Sequence, residues 1–346
     1  MDWMKFAALA AAVFAPCVAL AAPLPILDMH LHALHAEDQG PPPVSICAPY
    51  PMMPTRDTRR TADQFADEFF KKALCPAPLW SSRTDAELRR ETLKVLRQRN
   101  IVGVASGPAD VVAAWADEAP DRIIPALAFN ISDLPPIDTL RALHKAGRLK
   151  VMGEIGAQYE GVDPRDPRLE PYWSLAEELD VPVGIHMGPG PPGASYLPGM
   201  GAYRARMSSP LLLEDVLVRH PRLRLYVMHA GWPMGDDMVA LLYAHPQVYV
   251  DVAVIDYVLP RPEFHRYLRR LVEAGFGQRI MFGSDNMVWP GAIGPAIAGV
   301  QSAAFLSRQQ KRDILYNNGA RFLRMDPPAD GRSAILRKKS HKNRTL

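Results

Sequence analysis

Short apolar runs alternate with amphipathic segments along most of this chain. The apolar runs are rich in aliphatic and β-branched residues, which is typical of buried parallel strands. The amphipathic segments repeat apolar residues at helical spacing, as helices do when one face packs on a sheet. The predicted strands are 24–30, 101–106, 122–129, 150–156, 181–186, 223–229, 248–254 and 279–285. The predicted helices are 85–100, 109–119, 137–147, 171–180, 210–220, 235–245, 262–275 and 308–323, with a short extra helix within 61–74.

This alternation predicts one α/β domain over residues 22–326, a single (β/α)8 TIM barrel. An open doubly wound sheet is the alternative, but no G-x-G-x-x-G motif follows the first strand. Long loops follow predicted strands 1, 5 and 8, and the largest insertion, about 36–83, is rich in proline. In a barrel these loops all lie at the carboxyl ends of the strands, where binding loops belong.

The first residues form a segment of their own. Residues 5–22 read KFAALAAAVFAPCVALAA, a short apolar stretch that ends in small residues. This pattern predicts a signal peptide over residues 1–21, cleaved near Ala21, and therefore an exported protein, periplasmic or secreted. A retained anchor or a cytosolic start is the alternative, although the run is short for a membrane span and contains Pro16. No other segment approaches the length of a span.

Two of the three cysteines, Cys47 and Cys75, would remain after that cleavage, and both lie in the proline-rich insertion. In an exported protein such a pair predicts a disulfide. Closing that loop would stabilise the fold by roughly 3.5 kcal/mol in the chain-entropy model. Two buried free thiols are the alternative.

The charge of the chain is unevenly distributed. The composition is that of an ordinary globular protein, with 48% hydrophobic and 22% charged residues and a net charge of +3. The last segment, 327–346, holds six arginines and lysines against one aspartate and has no apolar periodicity, which predicts a disordered basic tail. A solvated end is favoured over contact with nucleic acid or anionic lipid, so we expect no nucleic-acid partner. The sequence leaves open whether the chain forms a homo-oligomer.

Four histidines and one aspartate lie where predicted barrel strands end. They are His30 and His32 in ILDMHLH, His186 in VPVGIHMG, His229 in LRLYVMHAG and Asp285 in IMFGSDN. The carboxyl ends of parallel strands converge in a closed barrel, so we expect these side chains to meet. Neutral imidazoles with a carboxylate are typical ligands of a divalent metal, most plausibly Zn²⁺. Each residue alone has an ordinary structural explanation, and only the joint pattern favours metal.

Glu154 ends the fourth predicted strand, in VMGEIG. Facing inward, it would bridge two metals, orient a ligand histidine or bind substrate. Facing outward, it would be a surface group in a salt bridge. The sequence therefore leaves the number of metal ions at one or two.

With these motifs the chain resembles the amidohydrolase superfamily, specifically the amidohydrolase-related branch that includes aminocarboxymuconate semialdehyde decarboxylase and several lactonases. The resemblance covers residues 24–325 and rests on DMHLH, GIHMG, PRLRLYVMHAG, IMFGSD and ILYNNGARFL. It implies that a principal zinc is bound by His30, His32, His186 and Asp285. It implies that His229 polarises the substrate or binds a second metal, while the Glu154 segment is closer to binuclear branches.

The resemblance favours a metal-dependent hydrolase acting on an amide, a lactone or a related carbonyl compound. In this interpretation a metal-activated water attacks, Asp285 moves the proton and His229 stabilises the oxyanion. Non-oxidative decarboxylation or hydration of an unsaturated or aromatic acid on the same site is the alternative. A non-catalytic binding protein is a third hypothesis, disfavoured because the ligand set is intact.

Substrate contacts are the least constrained prediction. Arg204 follows the Gly/Pro-rich loop after strand five, together with Tyr203 and Arg206, and an arginine there would pair a substrate carboxylate. Trp232 and Trp289 follow His229 and Asp285 and would wall a pocket for a small molecule. Solvated loop charges and ordinary packing are the respective alternatives.

Overall fold

The computed structural model describes residues 23–325, and in them eight parallel strands form one sheet. In chain order the strands are β1 (Ile26–His32), β2 (Ser45–Ile46), β3 (Leu79–Trp80), β4 (Ile101–Ser106), β5 (Ile123–Phe129), β6 (Val151–Ile155), β7 (Val183–His186), β8 (Leu225–Met228), β9 (Tyr249–Asp251) and β10 (Ile280–Met281). The sheet order is β1-β4-β5-β6-β7-β8-β9-β10. The Met29 amide donates to the Phe282 carbonyl (2.9 Å), which links β1 to the end of β10 and nearly closes the sheet. The predicted TIM barrel is confirmed.

Helices connect the strands and cover the outside of the barrel. They are α1 (Ala62–Phe70), α2 (Asp85–Gln98), α3 (Ala109–Glu118), α4 (Ile137–Lys145), α5 (Glu170–Leu179), α6 (Glu214–Arg219), α7 (Gly235–Ala244), α8 (Ile255–Val258), α9 (Arg261–Leu271), α10 (Ile293–Gln301), α11 (Arg308–Arg312) and α12 (Asn318–Phe322). Local signals explain their starts: the Thr84 side chain accepts a hydrogen bond from the Glu87 amide and caps α2. The last predicted helix, 308–323, is interrupted by a π-turn between α11 and α12.

Irregular register at the carboxyl ends of β1 and β6 turns functional side chains inward. Leu27 and Met29 pack inside the barrel, whereas Leu31 packs outside against the helices. Simple alternation would therefore send His30 to the outside. Between Asp28 and Leu31 the register of β1 against β4 shifts, and β6 has a similar shift between Met152 and Ile155. Such bulges re-aim a side chain without ending the strand.

The predicted insertion occupies residues 33–84, between β1 and α2. It contains the antiparallel ribbon of β2 and β3, helix α1 and a disulfide bond between Cys47 and Cys75. The Tyr50 amide donates to the carbonyl of Val258 (3.0 Å), the last residue of α8, which follows β9. Phe65 packs so closely on Gly193, in the loop after β7, that a Cβ there would lie 2.7 Å from the ring. The insertion thus reaches across the catalytic face of the barrel.

Two predictions fall beyond these residues. The signal peptide over 1–21 and the basic tail over 327–346 lie outside the described part of the chain. Between residues 23 and 325, no helix has the length and apolar character needed to cross a membrane.

Candidate metal centre

His30 and His32, at the end of β1, place their imidazole rings side by side. Their Nε2 atoms lie 3.2 Å apart, and both rings are buried. The Nδ1 atom of His30 faces Asp251 Oδ2 at 3.2 Å. Because a carboxylate only accepts, a neutral His30 ring carries its proton on Nδ1, donates it in a hydrogen bond to Asp251 and has a lone pair on Nε2. The Nε2 atoms of the two histidines are therefore close enough to bind the same ion.

Two carboxylates complete this side of the site. Asp285 Oδ1 lies 3.0 Å from His32 Nε2 and 3.9 Å from His30 Nε2. Glu154 Oε2 lies 3.4 Å from His32 Nε2 and 3.5 Å from His30 Nε2. Glu154 therefore faces into the barrel. This is the orientation that the predicted role in metal or substrate binding requires.

His186 and His229 occupy the opposite side of Glu154. Glu154 Oε1 makes a hydrogen bond with His186 Nδ1, and His229 Nε2 lies 3.0 Å from the same nitrogen. The Nδ1 atom of His229 lies 2.9 Å from the Ala253 carbonyl. A carbonyl only accepts, so His229 carries its proton on Nδ1 and presents an Nε2 lone pair to the site. The Nε2 atom of His186 is buried without a partner in the described chain.

The donor set fits a divalent cation. At ordinary zinc–nitrogen distances, two ligand atoms of a tetrahedral zinc lie about 3.3 Å apart, which matches the 3.0–3.4 Å spacings around His32. Glu154 belongs to two groups of possible ligands: one with His30 and His32, the other with His186 and His229. In each group the ligand atoms all lie within 4.8 Å of one another. One carboxylate oxygen of Glu154 faces each group, and a third group of His30, His229 and Asp285 overlaps both, so the site has room for one or two adjoining cations.

The shifted pKa values of these histidines and carboxylates reflect how closely the groups lie together. Burial lowers the pKa of His32, but the hydrogen bonds that its imidazole donates to Asp285 and Glu154 outweigh this effect and raise the pKa to about 9. Burial raises the pKa of Glu154, yet the His186 charge holds that pKa well below its ordinary value. Burial and the neighbouring His186 charge lower the pKa of His229 to about 4, so His229 is neutral at physiological pH. Protons or a cation must neutralise this cluster.

Asp251, at the end of β9, is a functional residue that the sequence pattern did not single out. It is fully buried, and beyond its contact with His30 its Oδ1 accepts from the amides of His229 (2.9 Å) and Ala253 (3.0 Å). One carboxylate therefore orients two site histidines. In the sequence, the signal for this residue is an acidic side chain inside the apolar run VYVDVAV.

Replacing Asp251 by asparagine should weaken metal binding about 10- to 100-fold, because such outer carboxylates fix the tautomer and orientation of ligand histidines. Competition with a chromophoric chelator measures this affinity. Asp256→Asn is the matched control, since Asp256 is equally buried and its side-chain oxygens have no partner among the described residues. Equal losses in both variants would contradict an orienting role for Asp251.

The side-chain polar groups of the three predicted substrate residues, Arg204, Trp232 and Trp289, are bonded to groups other than the histidines. Arg204 is exposed and donates to the carbonyls of Gly201 and Tyr203 (2.7 Å each). The Trp232 indole donates to Glu263 (3.1 Å) at the side of the core. Trp289 is 1% exposed and donates to the Val44 carbonyl (2.9 Å), so it packs beneath the insertion. In this conformation none of the three has its polar group turned toward the site, and substrate contact by them stays a prediction.

The barrel and its histidine–carboxylate cluster define the class of a metal-dependent TIM-barrel enzyme. The sequence also matches the model of the amidohydrolase family over residues 27–325. The chain belongs to this family of metal-dependent enzymes, as its motifs predicted. A search of curated proteins found no match.

Proteins of solved structure with the same fold are named for different reactions. 5-Carboxyvanillate decarboxylase from Sphingomonas paucimobilis is 16% identical, with a TM-score of 0.55 over 87% of this chain and 99% of that chain. A Pseudomonas putida protein assigned as a 2-pyrone-4,6-dicarboxylic acid hydrolase is 16% identical, with a TM-score of 0.53 over 87% and 97%. 4-Oxalomesaconate hydratase from Rhodopseudomonas palustris is 15% identical, with a TM-score of 0.50 over 86% and 95%. These similarities establish the fold and leave hydrolysis, decarboxylation and hydration as the reactions to distinguish.

Proposed function

We propose that this protein is a metal-dependent hydrolase that cleaves an uncharged amide, lactone or related carbonyl compound with water. The observation that carries the proposal is the pair of ligand groups on either side of Glu154. His30, His32 and Asp285 would hold one ion, His186 and His229 would hold a second, and Glu154 would give one oxygen to each. The donor chemistry favours Zn²⁺.

A divalent ion in such a site lowers the pKa of a coordinated water toward neutrality and polarises a carbonyl group. The protein's own contribution includes a fixed base. The Asp285 amide donates to the His30 carbonyl (2.6 Å), and the Tyr257 hydroxyl donates to the Asp285 carbonyl (3.0 Å). Burial raises the pKa of Asp285, but the His30 and His32 charges outweigh it and hold the pKa below its ordinary value. Asp285 is therefore an anion at neutral pH, ready to accept the water proton and deliver it to the leaving group.

The polarity of the site favours hydrolysis of a neutral substrate over decarboxylation or hydration of a polyacid. The arginine expected to pair a substrate carboxylate, Arg204, is occupied by carbonyls of its own loop. The alternative, non-oxidative decarboxylation or hydration of an unsaturated or aromatic acid, is supported by the fold of the decarboxylase and hydratase neighbours.

The test combines metal content with a small panel of reactions. Protein purified without added metal should hold about two zinc ions per chain and hydrolyse a neutral probe, such as the lactone dihydrocoumarin or an N-acyl amino acid amide. Release of CO₂ from a hydroxybenzoate, without hydrolysis of either probe, would establish the alternative reaction. Absence of metal, even after incubation with zinc, would overturn both.

We also propose that the protein works outside the cytosol, after cleavage near Ala21. The Cys47–Cys75 bond supports this, because structural disulfides persist in oxidising compartments. Protein isolated from cells without reductant and then denatured should have an N-terminus near residue 22 and no reactive thiol at Cys47 or Cys75. An uncleaved chain with reactive thiols at both positions would contradict export.

A further inference from the structure

Tyr159 lies beside the site on a short 3-10 turn, Ala157–Glu160, that directly follows β6. Its ring is 4.2 Å from the His186 ring and 6.3 Å from the Tyr203 ring, measured between centroids. The carboxylate charges that act on its phenol are those of Glu154 and Asp285. The ring therefore forms part of the wall around the candidate metal centre.

The Tyr159 hydroxyl differs from the other tyrosine hydroxyls near the site. Four of these donate to backbone carbonyls: Tyr203 to Gly188 (3.3 Å), Tyr226 to Met29 (3.0 Å), Tyr257 to Asp285 (3.0 Å) and Tyr267 to Ala230 (2.7 Å). Within the described residues Tyr159 makes no such bond, and its partly exposed hydroxyl is open to solvent. The hydroxyl is therefore available to donate to a ligand bound beside His186.

The backbone that carries Tyr159 is held rigidly. The buried Gln158 amide donates to the Gly188 carbonyl (3.0 Å) and to Ser208 Oγ (2.6 Å), and its oxygen accepts from the Gly188 amide (3.2 Å). Gly156 leaves room for the ring, because a Cβ there would lie 3.2 Å from Tyr159 Cδ2 and 2.2 Å from Asn130 Oδ1. A donor fixed in this way loses little entropy when it binds a substrate atom.

Two imidazoles of the centre, those of His30 and His229, do not supply such a donor. His229 has its Nδ1 proton on the Ala253 carbonyl, and His30 has its own on Asp251. Both rings then present lone pairs, and Glu154 and Asp285 accept as carboxylates. The expectation that His229 stabilises the oxyanion is therefore difficult to reconcile with its hydrogen bond. Hydrolysis of a carbonyl still places negative charge on the carbonyl oxygen.

We propose that the Tyr159 hydroxyl is a further catalytic group, which donates a hydrogen bond to the substrate's carbonyl oxygen as that oxygen becomes an oxyanion. The inference rests on the proposed hydrolysis. The water oxygen bonds to the carbonyl carbon, and the carbonyl π electrons move to the oxygen that Tyr159 faces. When the intermediate collapses, the C–O or C–N bond breaks and Asp285 returns the water proton to the leaving group. Tyr159 keeps its proton throughout, and burial raises its pKa, which keeps the phenol neutral.

Tyr159→Phe tests this, because it removes one oxygen and retains the ring against His186. On dihydrocoumarin, kcat should fall about 10²- to 10³-fold, the usual effect of losing one oxyanion donor, while KM changes less than about threefold. Zinc content should stay at the wild-type value. The dissociation constant of acetohydroxamate, an oxyanion-bearing zinc ligand, measured by calorimetry should rise about tenfold. Tyr196→Phe is the matched control, since Tyr196 is 58% exposed on the loop after β7.

The outcomes separate the two proposals. Wild-type kcat and acetohydroxamate affinity in Tyr159→Phe would overturn the role of Tyr159 and leave the hydrolase proposal intact. Loss of zinc or of folded protein in Tyr159→Phe would assign the hydroxyl a structural role and also overturn the inference. A wild-type protein that holds no zinc and binds no acetohydroxamate would overturn the hydrolase proposal and the inference with it.

Discussion

Asp285→Asn is expected to lower kcat about 10⁴-fold while the barrel stays folded. This is the upper end of the range for general acid–base catalysis, and we expect it because one carboxylate moves the proton in both halves of the reaction. The amide has nearly the same shape, so the backbone bonds of residue 285 to His30 and Tyr257 remain available. The asparagine side chain cannot accept a proton at neutral pH, however, and it is a poorer metal ligand than a carboxylate. Steady-state kinetics on the hydrolysed probe, together with circular dichroism, measure the effect.

The prediction for Asp285→Asn has a matched control variant and a defined contrary result. Asp236→Asn makes the same chemical change at a side chain that is 89% exposed, and kcat should stay within about twofold of wild type. Zinc must be measured in Asp285→Asn, because loss of metal alone would also abolish turnover. A variant that keeps zinc and more than about a tenth of wild-type kcat would show that another group moves the proton.

The positions of the metal-site residues were predictable because strand ends in a barrel converge. These residues lie at or beside the ends of predicted strands, and the structure brings His30, His32, His186, His229 and Asp285 together around Glu154. The division of the ligands stays a prediction: the resemblance groups His186 with His30 and His32, whereas the structure places His186 near Glu154 and His229, and His229 also near His30 and Asp285. That division depends on the bulges of β1 and β6, which change the register by one residue and leave no local sequence mark.

Side chains whose role depends on long-range partners were beyond sequence reasoning. Asp251 and Tyr159 gain their roles from residues far along the chain, as the contact between Asp251 and His30 shows. Trp289 illustrates the converse case, since its place just after Asp285 suggested a pocket wall, which stays a prediction. The insertion covers it, and its indole bonds to Val44, 245 residues earlier in the chain. Adjacency in sequence to a site residue therefore predicts proximity but not orientation.

The double variant His30→Ala/His32→Ala should lose turnover entirely and at least one zinc ion per chain. Both Nε2 atoms face the same position, so the change removes two nitrogen ligands and leaves carboxylate oxygens alone to hold an ion on that side. The group of Glu154, His186 and His229 stays intact, so at most about one ion should remain. Inductively coupled plasma mass spectrometry on the dialysed protein gives the count.

The matched control for that variant is His35→Ala, three residues further along the same segment. His35 is 40% exposed and bonds to Asp85 (2.7 Å), away from the ligand groups, so zinc content and kcat should match wild type. Thermal unfolding adds a readout independent of activity: zinc should raise the Tm of wild type and of His35→Ala by more than that of the double variant. Equal zinc content and equal Tm shifts in all three proteins would place the metal elsewhere and remove the basis of the hydrolase proposal. If the double variant loses one ion and retains the second, this result would instead support two adjoining cation sites. Glu154 is the ligand that the two sites would share.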